Sequence, residues 1–362
     1  MKIATFGEVM GRFEAENTMR FAQVMPGTMK LTFAGAESNV AGSLSYLGRS
    51  AKYITTLPNN PISTSCIRFL KSLDVDCSSI QLLDKGRFGL FLLETGANQR
   101  ASNVIYDRSW STFSLTTPDE YDFKKDLRGC DWLHVSGITP SLSKACTDST
   151  IAICKTAHEM GLTVSFDLNY RGKLWNWGEK LTKRDLARVT MEKIMPYVDI
   201  VIGNEEDASD MLDIREKNND VTSGSLNTAS YASVAKEVRR QYPSVKKVAF
   251  TLRESVSATH NNWGAILYNC EEEKTYFAPE VNGAYTPYPI MNIIDRVGGG
   301  DSFSAGLIYA LSDETLSNDK DAISFAVAAS CLCHSVHGDI NYTEKEEVLK
   351  LMDGNASGRV NR

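Results

Sequence analysis

Nowhere in its 362 residues does the chain hold a run of about eighteen apolar residues, the length a helix needs to cross a bilayer. A membrane-spanning helix is therefore not expected. It also lacks a long basic run, and Asp and Glu outnumber Lys and Arg by 45 to 39. That balance argues against a nucleic-acid partner, whose phosphates need a positive stripe, and it leaves small anions to be held by local arginines. The apolar stretch before Gly7 and Glu8, namely Lys2, Ile3, Ala4, Thr5 and Phe6, is too short for a secretory signal. The 8 cysteines form no close-set framework in a chain large enough to fold without staples, so reduced thiols and a cytoplasmic location are expected.

Familiar catalytic signatures are missing too. No Gly-x4-Gly-Lys-Ser/Thr phosphate loop occurs, and after Phe6 only Gly7 and Gly11 stand where a dinucleotide fold needs Gly-x-Gly-x2-Gly. Ser302 resembles a hydrolase nucleophile until Ser304, which occupies the place of the second glycine in that elbow. Cys331, Cys333, His334 and His337 lie within about two helical turns, a spacing open to a metal. The surrounding segment 326–336 is apolar and helix-like, and packing of small Cys is the expected role there.

With 42% hydrophobic and 23% charged residues, the composition is that of an ordinary globular protein. Short β-branched or apolar runs at 3–6, 52–55, 132–136, 164–167, 200–202 and 247–252 alternate with helical patterns at 38–47, 62–70, 148–158, 186–195 and 231–242. The alternation predicts a doubly wound α/β fold, a mainly parallel sheet with helices on both faces. Ligands of such sheets bind beyond the carboxyl ends of the strands, where Asp167, Asn169, Arg171, the run Asn204 to Asp207, and Arg253 fall. Residues 10–33 and 86–107 break the pattern with extended pieces and no long helix. They predict a small antiparallel sheet projecting as a lid, able to exclude water or to carry a dimer surface. Residues 215–230 read as a polar surface loop, and 353–362 as a tail after one domain spanning 1–352.

The most informative stretch is Asp295, Arg296, Val297, Gly298, Gly299, Gly300, Asp301, Ser302, Phe303, after which Leu307 and Leu311 continue at helical spacing. Glycines at a helix N terminus expose backbone N–H groups and favour an anion. A carboxylate inside an anion site repels the ligand unless it takes a proton from an attacking hydroxyl, which makes Asp301 a candidate general base. Asp is equally a favoured N-cap residue, so capping alone also accounts for the local pattern.

Residues 295–303 resemble the signature of the PfkB, or ribokinase-like, carbohydrate kinase family, Asp-Thr-x-Gly-Ala-Gly-Asp-x-Phe. The family's other motif is similar to residues 35–48, with Asn39, Ala41, Leu44, Leu47 and Gly48 in place. Ala34 stands where many relatives have a glycine, Arg296 replaces the signature Thr, and Gly299 replaces its Ala. Within the family the chain looks most like the branch acting on 2-keto-3-deoxygluconate, through Ala34 to Asn39, Leu57 to Pro61, Tyr106 to Arg108, His134 to Pro140 and Asp167 to Arg171.

The resemblance implies a Rossmann-like body with a β lid, and transfer of the ATP γ-phosphoryl group to a terminal hydroxyl of a small sugar acid. Asp301 would be the base, and the amides of Gly298, Gly299 and Gly300 would stabilise the transferring group. Gly35, Asn39, Tyr106 and Arg108 would hold the acid, and Arg171 would reach the acid or a phosphate. Arginine suits a carboxylate because its forked donors hold one in two places. Asn169, Asn204, Thr251 and Arg253 would bind ATP. Asp207 would act on Mg2+, through water because Asp replaces the family's Glu in Asn-x-x-Glu, and Asp295 matches a position linked to a monovalent cation such as K+. A homodimer or higher homo-oligomer is the expected assembly. Two other functions stay open: a family kinase for a neutral sugar such as fructose, and a non-catalytic sugar sensor.

Overall fold

The computed structural model describes residues 1–215 and 228–355, so most of the polar segment 215–230 and the end of the tail lie outside the described residues. The strands of four or more residues, in chain order, are β1 (Lys2–Phe6), β2 (Met10–Glu14), β3 (Lys30–Ala34), β4 (Ser50–Pro58), β5 (Asp76–Leu83), β6 (Leu90–Glu94), β7 (Asn103–Asp107), β8 (Trp132–Ser136), β9 (Thr163–Asp167), β10 (Ile200–Gly203), β11 (Lys247–Ser257), β12 (His260–Asn269) and β13 (Lys274–Ala278). The large sheet runs β13-β12-β11-β10-β9-β8-β1-β4-β5. From β11 to β5 every neighbour is parallel, while β12 joins β11, and β13 joins β12, antiparallel. The chain leaves β1 for β4 on one side and returns to β8 on the other, which creates a topological switch point beside β1.

Both faces of the sheet are covered, and successive side chains alternate between two cores, as the two-residue period of a strand requires. Leu133 and Val135 of β8 join one apolar layer and Trp132 the other; Val201 of β10 joins the first, Ile200 and Ile202 the second. The first layer is closed by the helices Lys144–Glu159, Lys183–Ile194 and Glu205–Leu212, the second by Ala36–Tyr46, Pro61–Ser72, Gly299–Leu311 and Asp319–Cys333. Local signals set the helix starts. Asn60 accepts from the N–H groups of Ile62 and Ser63, and Pro61 takes the first helical position, where its missing N–H costs nothing.

Segments 10–33 and 86–107 form the small sheet, in the order β3-β2-β6-β7. Its outer pairs are antiparallel, as expected, and its central pair, β2 with β6, is parallel. Its inner face carries Met10, Ala34, Phe91 and Leu93, packed with Val104, Tyr106 and Val297; Leu31 and Ile105 on its outer face are exposed. No helix among the described residues is long and apolar enough to cross a membrane.

Candidate active site

A cleft of about 1140 Å³ lies where the inner face of the small sheet meets the carboxyl ends of β9 and β10. Its volume exceeds that of most single-ligand pockets. Gly35, Asn39, Tyr106, Arg108, Asn169, Arg171, Asn204, Asp207, Thr251, Arg253, Gly298, Gly299, Gly300 and Asp301 all line it. Residues separated by more than 260 positions in sequence are thus brought to one place. Asp295 is the exception among the expected site residues and sits beneath the wall.

The floor is the N terminus of helix Gly299–Leu311. Gly298 precedes it with φ of 85°, and a Cβ there would lie 2.2 Å from the Asp339 carbonyl oxygen, so only glycine fits. Glycine at the N-cap offers no side chain to cap this end, which leaves first-turn N–H groups and the helix dipole facing the cleft. Asp301 is therefore not acting as the cap. Its carboxylate accepts from Asn39 Nδ2 at 2.7 Å, while Asn39 Oδ1 accepts from the Gly35 N–H at 3.1 Å. The backbone contact fixes which end of the amide faces Asp301, and the other carboxylate oxygen stays available. Gly35 is itself compelled by packing, since a Cβ would lie 2.1 Å from the Glu8 carbonyl oxygen. Burial pushes the Asp301 carboxyl up to about 6, with the Asn39 hydrogen bond opposing it and the Glu37 carboxylate adding to it. A base with that value is ionised at neutral pH and still able to hold a proton.

Beside it lies a group of buried acids. Burial raises Asp167 well above the usual carboxylate range, helped by Asp207 and Asp301. Burial likewise brings Asp207 to about 6, with Arg171 opposing the rise. Asp207 accepts from the Tyr170 N–H at 2.9 Å, and Asn204 caps the helix through the Asp207 N–H at 2.9 Å. Thr251 donates its hydroxyl to the Gly203 carbonyl at 3.4 Å. Asn169 has φ of 38°, and its buried Oδ1 has no partner among the described residues.

The arginines differ in how far they are committed. Arg108 is buried and donates Nε to Glu8 at 2.7 Å, with Nη2 2.5 Å from the same oxygen, so most of its charge is met inside the protein. Arg171 is exposed to the cleft and, among the described residues, bonds only its neighbour's carbonyl, Tyr170 O, at 3.0 Å. Arg296 donates to Asn261 at 3.0 Å, and burial, then the nearby Arg253 charge, lowers its value. Two guanidiniums lining one cleft are suited to a polyanion.

A model of the pfkB family of carbohydrate kinases matches residues 1–346. The chain belongs to that family. It is an ATP-dependent sugar kinase. Among solved structures it is similar to 2-dehydro-3-deoxygluconokinase from Thermotoga maritima, with 38% identity and a TM-score of 0.86 over 98% of this chain and 100% of that one. Among curated proteins, 2-dehydro-3-deoxygalactonokinase from Haloferax volcanii is 29% identical over 99% of this chain and 98% of its own. Fructokinase-1 from Zea mays is 23% identical over 97% of both.

Sequence reasoning passed over several residues of this kinase cleft. Asp339 lines it with a buried Oδ2 that has no partner among the described residues, and burial raises its carboxyl to about 7. No motif surrounds it, so nothing in the sequence marked it. Arg296 read as a mild departure from the signature, yet it supplies charge to the cleft. Asp167 was legible as a polar strand end without a role, and Glu8, which does not line the cleft but pairs with Arg108 behind it, carried no signal. His334, one of the residues at metal spacing, instead bonds Ser330 O through Nδ1 at 2.7 Å and packs edge-on against Trp263.

Proposed function

We propose that this kinase phosphorylates the terminal hydroxyl of a 2-keto-3-deoxy sugar acid, 2-keto-3-deoxygluconate, giving 2-keto-3-deoxy-6-phosphogluconate. The observation that carries the reading is Asp301, buried at an uncapped helix N terminus with one oxygen held by Asn39. The substrate hydroxyl oxygen attacks the γ-phosphorus of ATP and the bond to the bridging oxygen breaks. The hydroxyl proton passes to the free Asp301 oxygen, and the glycine amides stabilise the oxygens of the transferring group. Arg253 and Arg296 hold the polyphosphate, and the small sheet closes over the sugar as part of one domain spanning 1–352.

The acid specificity rests on Arg171, which has no carboxylate partner among the described residues, and on the donors of Arg108 that Glu8 does not take. The names of the relatives from Thermotoga maritima and Haloferax volcanii support a keto-deoxy acid and leave its epimer to experiment. Asp207 and Asp167 are buried carboxylates that both line the cleft, and the charge of Asp207 acts on Asp167; this is an oxygen donor set of the kind Mg2+ takes, and they would hold the ion through water. When bound, Mg2+ neutralises charge on the phosphates.

The test is ADP release from Mg-ATP with 2-keto-3-deoxygluconate, 2-keto-3-deoxygalactonate, fructose, ribose and adenosine, with Asp301→Asn as the blank. Turnover on a keto-deoxy acid that disappears in the variant is expected. Turnover only on a neutral sugar would discard the arginine argument, and none on any of them would bring forward a non-catalytic sensor.

A further inference from the structure

Arg12, on β2 of the small sheet, is completely buried, and three carboxylates surround it. Its Nη2 lies 2.5 Å from Asp295 Oδ2 and also binds Glu14, while its Nη1 lies 3.0 Å from Asp339 Oδ1. The two aspartates belong to the segments that build the anion hole. Asp295 accepts from the Val297 N–H at 3.0 Å and from the Gly338 N–H at 3.2 Å. The Asp339 backbone closes against Gly298 so tightly that no Cβ fits. A single guanidinium therefore joins the small sheet to both loops that set the glycine amides.

The monovalent cation implied by the family resemblance does not fit this donor set. A cation site needs converging oxygens with free lone pairs, whereas the groups converging on Asp295 are N–H donors: one guanidinium and two backbone amides. Those donors carry partial or full positive charge and would repel K+ from the carboxylate. Burial works against the charge on Arg12, and the three carboxylates nevertheless hold it firmly protonated.

We infer that Arg12 is a built-in cation: a positioning residue that does at Asp295 and Asp339 what a bound monovalent ion would do, and so makes the kinase independent of K+. It touches neither sugar nor phosphate and acts by fixing the 295–300 and 338–341 segments. Because it comes from β2, it also ties the seating of the small sheet to the shape of the anion hole.

The inference rests on the kinase activity, and wild-type turnover tests that separately. The experiment compares wild type, Arg12→Ala and Arg12→Lys in choline chloride and in KCl at equal ionic strength. It measures kcat and KM for both substrates and the melting temperature of the ligand-free protein. Wild type is expected to show the same kcat and melting temperature in both salts. Arg12→Ala is expected to lose about tenfold or more in kcat, the size typical of removing support behind a site, with a smaller change in KM. Adding guanidinium at millimolar concentration should restore part of that kcat, and KCl should raise its melting temperature relative to choline. Arg12→Lys, with a single point charge, should fall between. If Arg12→Ala does not fold, the salt response of wild type and Arg12→Lys decides. Activation of wild type by K+ of about tenfold would overturn the inference, as would a folded Arg12→Ala with unchanged kcat or one that guanidinium fails to rescue.

Discussion

Replacing Asp301 by Asn should abolish turnover and, at the same time, make the folded protein more stable. The carboxyl has an ordinary value of 3.8 and is raised to about 6 by burial, so at neutral pH the fold carries an ionised group it would prefer to protonate. The difference corresponds to roughly 2 to 3 kcal/mol. Asn resembles the protonated carboxyl and can still accept from Asn39, so the variant should recover most of that amount. For a chain of this length the gain is about 2–4 °C in melting temperature. The sign follows from proton binding. Between pH 3.8 and about 6 the folded state holds a proton the unfolded state has shed, so wild-type stability falls as pH rises through that window. The gap between variant and wild type should be absent below the window and complete above it. Turnover should drop by about a hundredfold or more, the contribution of a positioned base. Calorimetry from pH 4 to 8 beside an ADP-release assay measures both. A variant less stable than wild type at pH 7.5, or a gap that ignores pH, would refute the burial argument; retained turnover would refute the base.

Three further outcomes are expected. Asn39→Leu removes the charge-assisted hydrogen bond to Asp301, worth roughly 1.5–3 kcal/mol; the acidic limb of the kcat/KM profile, near pH 6 in wild type by the value of that carboxyl, should move up by about one pH unit or more, and an unmoved limb would deny Asn39 its role. Asp207→Asn should raise the magnesium concentration for half-maximal rate by about tenfold, the usual effect of losing a group that acts through water, with little change at saturating Mg2+; a titration of rate against Mg2+ decides. Arg108→Ala strands the buried Glu8 carboxylate, so urea unfolding should show a loss of about 3 to 5 kcal/mol, larger than removal of a surface arginine; a loss under about 1 kcal/mol would mean the pair is solvated.

The parallel core was readable because its strands are buried on both faces and therefore appear as short continuous apolar runs, such as those at 132–136 and 200–202. Strand β5, Asp76–Leu83, escaped notice because it is an edge strand whose mostly half-buried positions keep no strict alternation, and Ser78 and Gln81 dilute the signal. Strands β12 and β13 were missed for a related reason: β12 begins with His260, Asn261 and Asn262, a polar start that reads as a loop. The parallel pairing of β2 with β6 was not legible either, since two separate segments meet there and the register between them is set by packing.

For the site, the sequence alone determined where a helix start with bare amides lies, because backbone geometry is local: consecutive glycines at the start of a helix leave its amides uncovered by side chains whatever surrounds them, and an aspartate directly after them marks a candidate base. Charge and proton affinity are not local. Whether Arg108 faces a ligand or Glu8, whether Asp295 awaits a metal ion or already binds Arg12, and whether Asp301 titrates near 4 or near 6 depend on groups a hundred or more residues away and on how much water the fold excludes. Only the tertiary structure decided those, since Coulomb energies and desolvation depend on distance in space and on burial, and neither is written in the order of residues.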